Sequence, residues 1–284
     1  MRAYLNAGGN LIDTAPTYGD GLAERILGSL MRHDVNRDQL VLATKAGFAL
    51  RDGQQVLDTS AKALLDDLDG SLARLGVDHV DLWQVHAWGG VPLDETLGAL
   101  DIAVASGKAR FAGVANYVGW QLGTAATWQR LTAGATPIVA AQNEYSLLAR
   151  RAEVEVLPAL RYHGLGFFPW SPLGRGVLSG QYRGGVPESS RGASRHLSWF
   201  VEPYLQARAD AVVDAVTRAG DGLGLSAAQV ALLWVRDAPG VTAPLLGART
   251  PDQLAPLLAI DGETLPPPIV EALDDITGGQ KAIA

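Results

Sequence analysis

The sequence predicts one α/β domain in which parallel strands alternate with helices and close into a barrel, and three observations carry that prediction. Short β-type apolar runs alternate with amphipathic helical stretches along the chain, the pattern of βα units on a parallel sheet. Four polar side chains, Asp13, Tyr18, Lys45 and His86, stand at or just beyond the points where such runs stop, which is where a parallel barrel delivers its reactive groups. The 284 residues suffice for one large barrel, and no internal repeat, low-complexity tract or interdomain linker divides them.

The chain opens in a short helix, 2–6, ended by Gly8-Gly9. Strands are expected at 10–14, 40–45, 79–86, 111–115, 137–142, 165–170 and 242–247. Asn10-Leu11-Ile12 leads into Asp13, Leu40-Val41-Leu42-Ala43-Thr44 into Lys45, and Val80-Asp81-Leu82-Trp83-Gln84-Val85 into His86. Within 58–75, Ala61, Leu64, Leu65, Leu68, Leu72 and Leu75 recur every three or four positions and give a helix one buried stripe. Ser226 with Gln229 reads as a capping box opening the helix that carries Val230, Leu233 and Trp234. That makes seven strands, and an eight-stranded barrel needs one more. The stretch 183–203 is too long and aperiodic for an ordinary connection; such loops are lids or disordered segments. Gly184-Gly185 and Pro187 mark it as a loop within the domain, not a boundary.

Composition excludes several classes of function. Hydrophobic residues make up 48% and charged residues 19%, so the chain is globular. The absence of Cys rules out disulfides, thiolate metal sites and thiol nucleophiles. No apolar run approaches the roughly 20 residues of a spanning helix, and Met1-Arg2-Ala3-Tyr4-Leu5 lacks the apolar core of a signal peptide. A soluble, cytoplasmic protein is expected. A net charge of −7 with scattered Lys and Arg argues against nucleic acid or an anionic membrane as partner.

An acidic group, a phenol, a cation and an imidazole are what is needed to protonate a carbonyl oxygen while a hydride arrives at carbon. A phenol is a poor acid at neutral pH, with an unperturbed pKa of about 10, and a nearby ammonium stabilises its anion. Lys45 is placed to do this for Tyr18. An ammonium drawn into an apolar barrel mouth needs a carboxylate to keep its proton, and Asp13 ends the neighbouring strand. His86 supplies an imidazole N–H to orient the carbonyl. Singly, each also reads plainly: Asp13 as a turn or helix cap, Tyr18 as a rim residue, Lys45 as a solvated strand-end charge, His86 as a satisfied loop histidine.

The words around these residues go further. Gly9-Asn10-Leu11-Ile12-Asp13-Thr14-Ala15-Pro16-Thr17-Tyr18-Gly19 is followed by Ala23-Glu24-Arg25-Ile26-Leu27-Gly28. Later come Asp78-His79-Val80-Asp81-Leu82-Trp83-Gln84-Val85-His86, then Gly107-Lys108-Ala109-Arg110-Phe111-Ala112-Gly113-Val114-Ala115-Asn116, then Pro169-Trp170-Ser171-Pro172-Leu173-Gly174-Arg175-Gly176. In order and spacing, over essentially the whole chain, these segments resemble the aldo-keto reductase family, on the side of bacterial members related to the potassium-channel β-subunits. The resemblance implies a (β/α)8 barrel that reduces a small-molecule aldehyde or ketone with NADPH, NADH being the second possibility, without metal or flavin. It implies Tyr18 as proton donor, tuned by Lys45 and Asp13, with His86 positioning the carbonyl. It assigns Asn116 and Gln142 to the nicotinamide carboxamide and Trp170 to the nicotinamide ring. Ser171, Leu173, Gly174 and Gly176 would line the pyrophosphate path, and Arg191, Gly247, Arg249 and Gln253 the adenosine half. A planar guanidinium at Arg249 suits the extra phosphate of NADPH.

Some positions depart from the family pattern. Gln181 stands where many relatives carry Lys, Pro256-Leu257 where a Glu-Asn pair is usual, and Ala115 where Ser is common, so weaker or less selective cofactor binding is expected. The family's opening β-hairpin and first barrel strand have no counterpart here, which would leave strands 10–14 and 242–247 facing a gap. A start codon assigned too far downstream, an open barrel, or another chain filling the gap would each account for this. Trp88, Tyr117, Trp120, Trp199, Phe200 and Tyr204 suggest an aromatic-lined mouth for a hydrophobic carbonyl compound. Two other readings stay open: a cofactor-binding but non-catalytic scaffold or sensor, as some relatives are channel subunits, and a Schiff-base lyase using Lys45 on the same kind of barrel.

Overall fold

The computed structural model describes residues 1–51, 54–188, 190–195, 197–205 and 207–278, so the expected loop 183–203 lies outside the described residues at 189 and 196. In chain order the helices and strands are α1 (Arg2–Asn6), β1 (Leu11–Asp13), α2 (Leu22–His33), β2 (Val41–Ala46), β3 (Phe48–Arg51), β4 (Gln54–Leu57), α3 (Ala61–Leu75), β5 (Val80–Val85), α4 (Leu93–Ala105), β6 (Ala109–Ala115), α5 (Gly119–Leu131), β7 (Ile138–Gln142), α6 (Val156–His163), β8 (Gly166–Phe167), α7 (Ser198–Val201), α8 (Ala207–Leu223), α9 (Ala227–Arg236), α10 (Pro251–Leu258) and α11 (Pro267–Thr277). This is an α/β fold on a parallel sheet. The chain forms two compact units: Met1–Gln142 with Pro158–Gly166, and Asn143–Leu157 with the chain from Phe167 onward.

The first unit holds the sheet, in the order β1-β2-β5-β6-β7, with Gly166 opening the two-residue strand β8. β1 pairs with β2, β2 with β5, β5 with β6 and β6 with β7, all in parallel. β5 is buried along its whole length and β2 from Leu42 on; burial on both faces is why these strands are nearly continuous apolar runs. The register sets Asp13 beside Ala43 and Lys45 beside Gln84, which brings the ends of three strands to one edge. The stripe expected for α3 is buried at Leu64, Leu68, Leu72 and Leu75 and half-buried at Ala61 and Leu65. Ser60 caps that helix and Gly76, at φ 68°, ends it.

Behind the sheet, Glu24 of α2 is fully buried, accepting hydrogen bonds from Thr44 Oγ1 at 2.7 Å and Arg74 Nε at 2.6 Å. It thereby ties α2 and α3 to β2. The two helices meet at Gly28, where an added Cβ would lie 2.6 Å from the Leu75 carbonyl oxygen and 2.8 Å from that of Arg74. Gly28→Ala therefore has to push α2 off α3, and an unfolding titration should show a loss of about 1–3 kcal/mol.

The sequence reading passed over one element: β3 and β4 form an antiparallel hairpin in the register Phe48↔Leu57 to Arg51↔Gln54. Asp52-Gly53 between them is a two-residue hairpin signal that was available in the sequence. It was hidden because the flanking residues do not alternate cleanly between apolar and polar.

In the second unit, α9 opens with the expected box: Ser226 Oγ accepts from Gln229 N, and Gln229 Oε1 accepts from Ser226 N. Val230, Leu233 and Trp234 are buried. Trp234 packs at a tilt against Tyr145, ring centres 5.3 Å apart, and lies under Arg150 at 4.8 Å, itself paired to Glu153 and Asp274. The expectation of a strand at 242–247 is corrected. No strand is assigned there; Thr242 N donates to Phe167 O and Leu245 N to Pro169 O, both at 2.8 Å. Pro244 and Pro169 lack N–H groups, so a continuous ladder cannot form. For the same reason the strand expected at 165–170 shortens to Gly166–Phe167, with a separate bridge between Trp170 and Glu144. Among the described residues no helix is long and apolar enough to cross a membrane.

Candidate active site

In the first unit the site is built around Lys45, whose side chain is wholly buried. Its Nζ donates to Asp13 Oδ2 at 2.5 Å, to the Thr14 carbonyl at 3.1 Å and to Tyr18 Oη at 3.3 Å. Three acceptors match the three protons of an ammonium. Burial alone would lower the Lys45 pKa, but the Asp13 charge, with Tyr18 beside it, outweighs burial and raises it.

Tyr18 sits on the loop between β1 and α2, which turns through three successive left-handed residues, Gly19, Asp20 and Gly21. The residue remains 41% exposed, and its hydroxyl touches Lys45. The His86 ring lies edge-on to Tyr18 at 6.4 Å and to Phe48 of β3 at 5.1 Å. Burial, and then the Lys45 charge, push the His86 pKa down to about 3, so the imidazole is neutral at physiological pH and carries one ring N–H. Because its pKa in the unfolded chain is near 6.5, stability should fall as pH drops from 6.5 toward 3.

The second oxygen of Asp13 accepts from Gln142 Nε2 at 3.0 Å and Gln84 Nε2 at 3.5 Å. The Gln142 carbonyl accepts from Asn116 N at 2.8 Å, and Asn116 Nδ2 donates to the His86 carbonyl at 2.9 Å. Asn116 adopts a left-handed backbone, φ 58°, conformational strain of a kind found at functional sites. Six residues singled out in the sequence thus join in one hydrogen-bonded set. Trp88 packs edge-on against Tyr117 and Trp120, each at 5.2 Å. Tyr117 is buried, with its pKa raised by burial, whereas Trp120 is exposed.

In the second unit Trp170 stacks on Phe200, with ring centres 6.2 Å apart and planes 19° from parallel. Ser171, Gly174, Arg175 and Gly176 all have left-handed backbones. A Cβ at Gly174 would meet Leu148 Cδ1 at 2.9 Å, and one at Gly176 would meet Gln181 Nε2 at 2.7 Å. Leu173 is half-buried on this turn. Arg191 lies 6.0 Å from the Phe200 ring, Trp199 is exposed against Phe200, and Tyr204 lies 4.8 Å from the Arg175 guanidinium. Gly247 and Arg249 are exposed just before α10, and Gln253 Oε1 accepts from Arg249 N at 3.0 Å.

Sequence reasoning missed Arg175. It grips Glu144 through two hydrogen bonds of 2.9 Å, donates to the Phe200 carbonyl, and lies 3.7 Å from the Phe200 ring centre. The signal lay in the quoted Gly174-Arg175-Gly176, where a long cation stands between glycines. Gln84, likewise inside a quoted strand, was missed because an amide in an apolar run carries no chemistry of its own.

A buried ammonium shared by a carboxylate and a phenol thus lies beside a neutral imidazole at the strand ends of a parallel sheet. Comparison with known proteins supplies the family. The profile described as "Aldo/keto reductase family" matches residues 1–277, and the chain belongs to that family. It is 32% identical to "Aldo-keto reductase YhdN" of Bacillus subtilis (strain 168) over 93% of this chain and 78% of that protein. It is 33% identical to a "Probable voltage-gated potassium channel subunit beta" of Oryza sativa subsp. japonica, over 89% and 78%. It is 32% identical to "L-glyceraldehyde 3-phosphate reductase" of Escherichia coli (strain K12), over 89% and 75%. Two of these relatives are named as reductases.

Proposed function

We propose that this protein reduces an aldehyde or ketone to an alcohol with a nicotinamide cofactor, NADPH in preference to NADH, and that Tyr18 is the proton donor. The observation that carries this reading is the Lys45 ammonium, wholly buried and divided between the Asp13 carboxylate and the Tyr18 hydroxyl. A buried cation 3.3 Å from a phenol oxygen favours the phenolate left when its proton departs. Asp13 keeps Lys45 protonated, and the neutral His86 offers an N–H toward a carbonyl oxygen without competing as an acid.

The residues present fit a dinucleotide. In the turn at 171–176, Ser171, Gly174, Arg175 and Gly176 are held in left-handed backbone, and side chains already fill the space that Cβ atoms at Gly174 and Gly176 would need. Backbone of this kind lets a phosphate approach closely. When bound, the nicotinamide supplies the hydride. Trp170 would face its ring, Asn116 and Gln142 its carboxamide, and Ser171, Leu173, Gly174 and Gly176 the pyrophosphate. Arg191, Gly247, Arg249 and Gln253 would hold the adenosine half. Trp88 with Trp120, and Trp199 with Tyr204, offer aromatic surface for a hydrophobic substrate, and Tyr117 packs edge-on against Trp88. The fold and setting that go with this reading are the family's single (β/α)8 domain and the cytoplasm.

A folded sample should show tryptophan quenching on NADPH addition and should oxidise NADPH when given 4-nitrobenzaldehyde. Saturable NADPH binding with no turnover of a panel of aldehydes would replace this reading with that of a cofactor-binding, non-catalytic protein. That alternative draws on the likeness to the channel subunit.

A further inference from the structure

Gln84 is wholly buried in β5, a position at which an aliphatic side chain would cost less. Its Oε1 has no hydrogen-bond partner among the described residues, and an unsatisfied buried acceptor lowers stability. Stability therefore does not explain the amide. Its Nε2 points to Asp13 Oδ1, the oxygen that Lys45 does not hold, and Gln142 Nε2 reaches the same oxygen from β7. The register places Gln84 beside Lys45 on one side and Gly113 on the other. A Cβ at Gly113 would lie 3.1 Å from Gln84 Cγ and 3.0 Å from the Ala140 carbonyl oxygen; the glycine leaves room for the stem of the glutamine. The group facing Asp13 from β2 is Lys45, with Tyr18 and the neutral His86 beyond it, and the side chains reaching it from β5 and β7 are both uncharged amides.

We propose that Gln84 is a positioning residue of the reduction: with Gln142 it holds the Asp13 carboxylate turned toward Lys45, and it acts on Tyr18 only through that pair. This rests on the proton-donor reading of Tyr18. An N–H dipole aimed at Asp13 offsets part of its negative charge. Removing it makes the potential around Lys45 and Tyr18 more negative, which favours the protonated form of both Asp13 and Tyr18.

Gln84→Met keeps the volume and removes the donor. The expected result is a melting temperature equal to or above that of the parent, with both limbs of the pH profile of kcat moved to higher pH by about half a unit. Gln84→Glu, which keeps the shape and adds a carboxyl group beside Asp13, should move both limbs further in the same direction and serves if Gln84→Met fails to fold. A lower melting temperature with an unmoved profile means that the amide is structural, and overturns the proposal. Tyr18→Phe is run alongside. If it loses turnover while the Gln84 profile stays in place, only the role of Gln84 falls; if it retains turnover, the proton-donor reading falls and takes the role of Gln84 with it.

Discussion

Tyr18→Phe should lower kcat for aldehyde reduction by about a hundredfold to ten-thousandfold, the usual contribution of a positioned general acid, while leaving the fold and cofactor affinity intact. The change removes one oxygen from a residue that is 41% exposed and whose hydroxyl has a 3.3 Å contact with Lys45. The structural cost is therefore below about 1 kcal/mol. NADPH titration by tryptophan fluorescence should give an unchanged dissociation constant, and single-turnover kinetics should place the whole loss in the chemical step. Retention of more than a tenth of the parent kcat would rule out Tyr18 as the acid.

The second large effect is at Lys45. Lys45→Met leaves Asp13 facing a hydrophobic chain where its ion-pair partner stood, and breaking one side of such a buried pair costs about 3–5 kcal/mol. Turnover should disappear as well, because the cation that favours a Tyr18 anion is lost. Asp13→Asn combined with Lys45→Met removes both charges, and the neutral pair should regain much of the stability with none of the activity. A urea titration of the four forms, the parent included, measures the coupling; strictly additive losses would mean that the 2.5 Å contact does not carry the energy assigned to it. The sign of the pH effect is fixed too. The Lys45 pKa is raised in the fold, so its contribution is complete below the unfolded value of 10.5 and is lost as pH rises through the folded one. The parent should therefore lose stability in strong alkali by a step that Lys45→Met lacks.

Much of this was legible in the primary structure because it depends on local pattern. The runs leading into Lys45 and His86 show as strands because most residues buried on both faces are apolar, and the stripe of α3 shows directly in its spacing. Less was legible where backbone donors decide. Pro244 and Pro169 were visible as residues, but only pairing shows that 242–247 meets Phe167 and Pro169 at two points instead of forming a strand. The hairpin of β3 and β4 was announced by Asp52-Gly53 and overlooked; it matters because Phe48, at its start, packs on His86.

For the four polar residues at the strand ends, the sequence by itself determined the types, the order and the kind of chemistry they suit. Tertiary structure decided their state. Whether Lys45 is solvated or wholly enclosed, and whether His86 is charged, depends on burial and on distances between β1, β2 and β5 that no single strand encodes. The same holds for Gln84, Gln142 and Arg175. Hydrogen bonds and ring contacts between residues far apart in the chain gave these three their partners, and long-range contacts of this kind leave no periodic trace in a sequence.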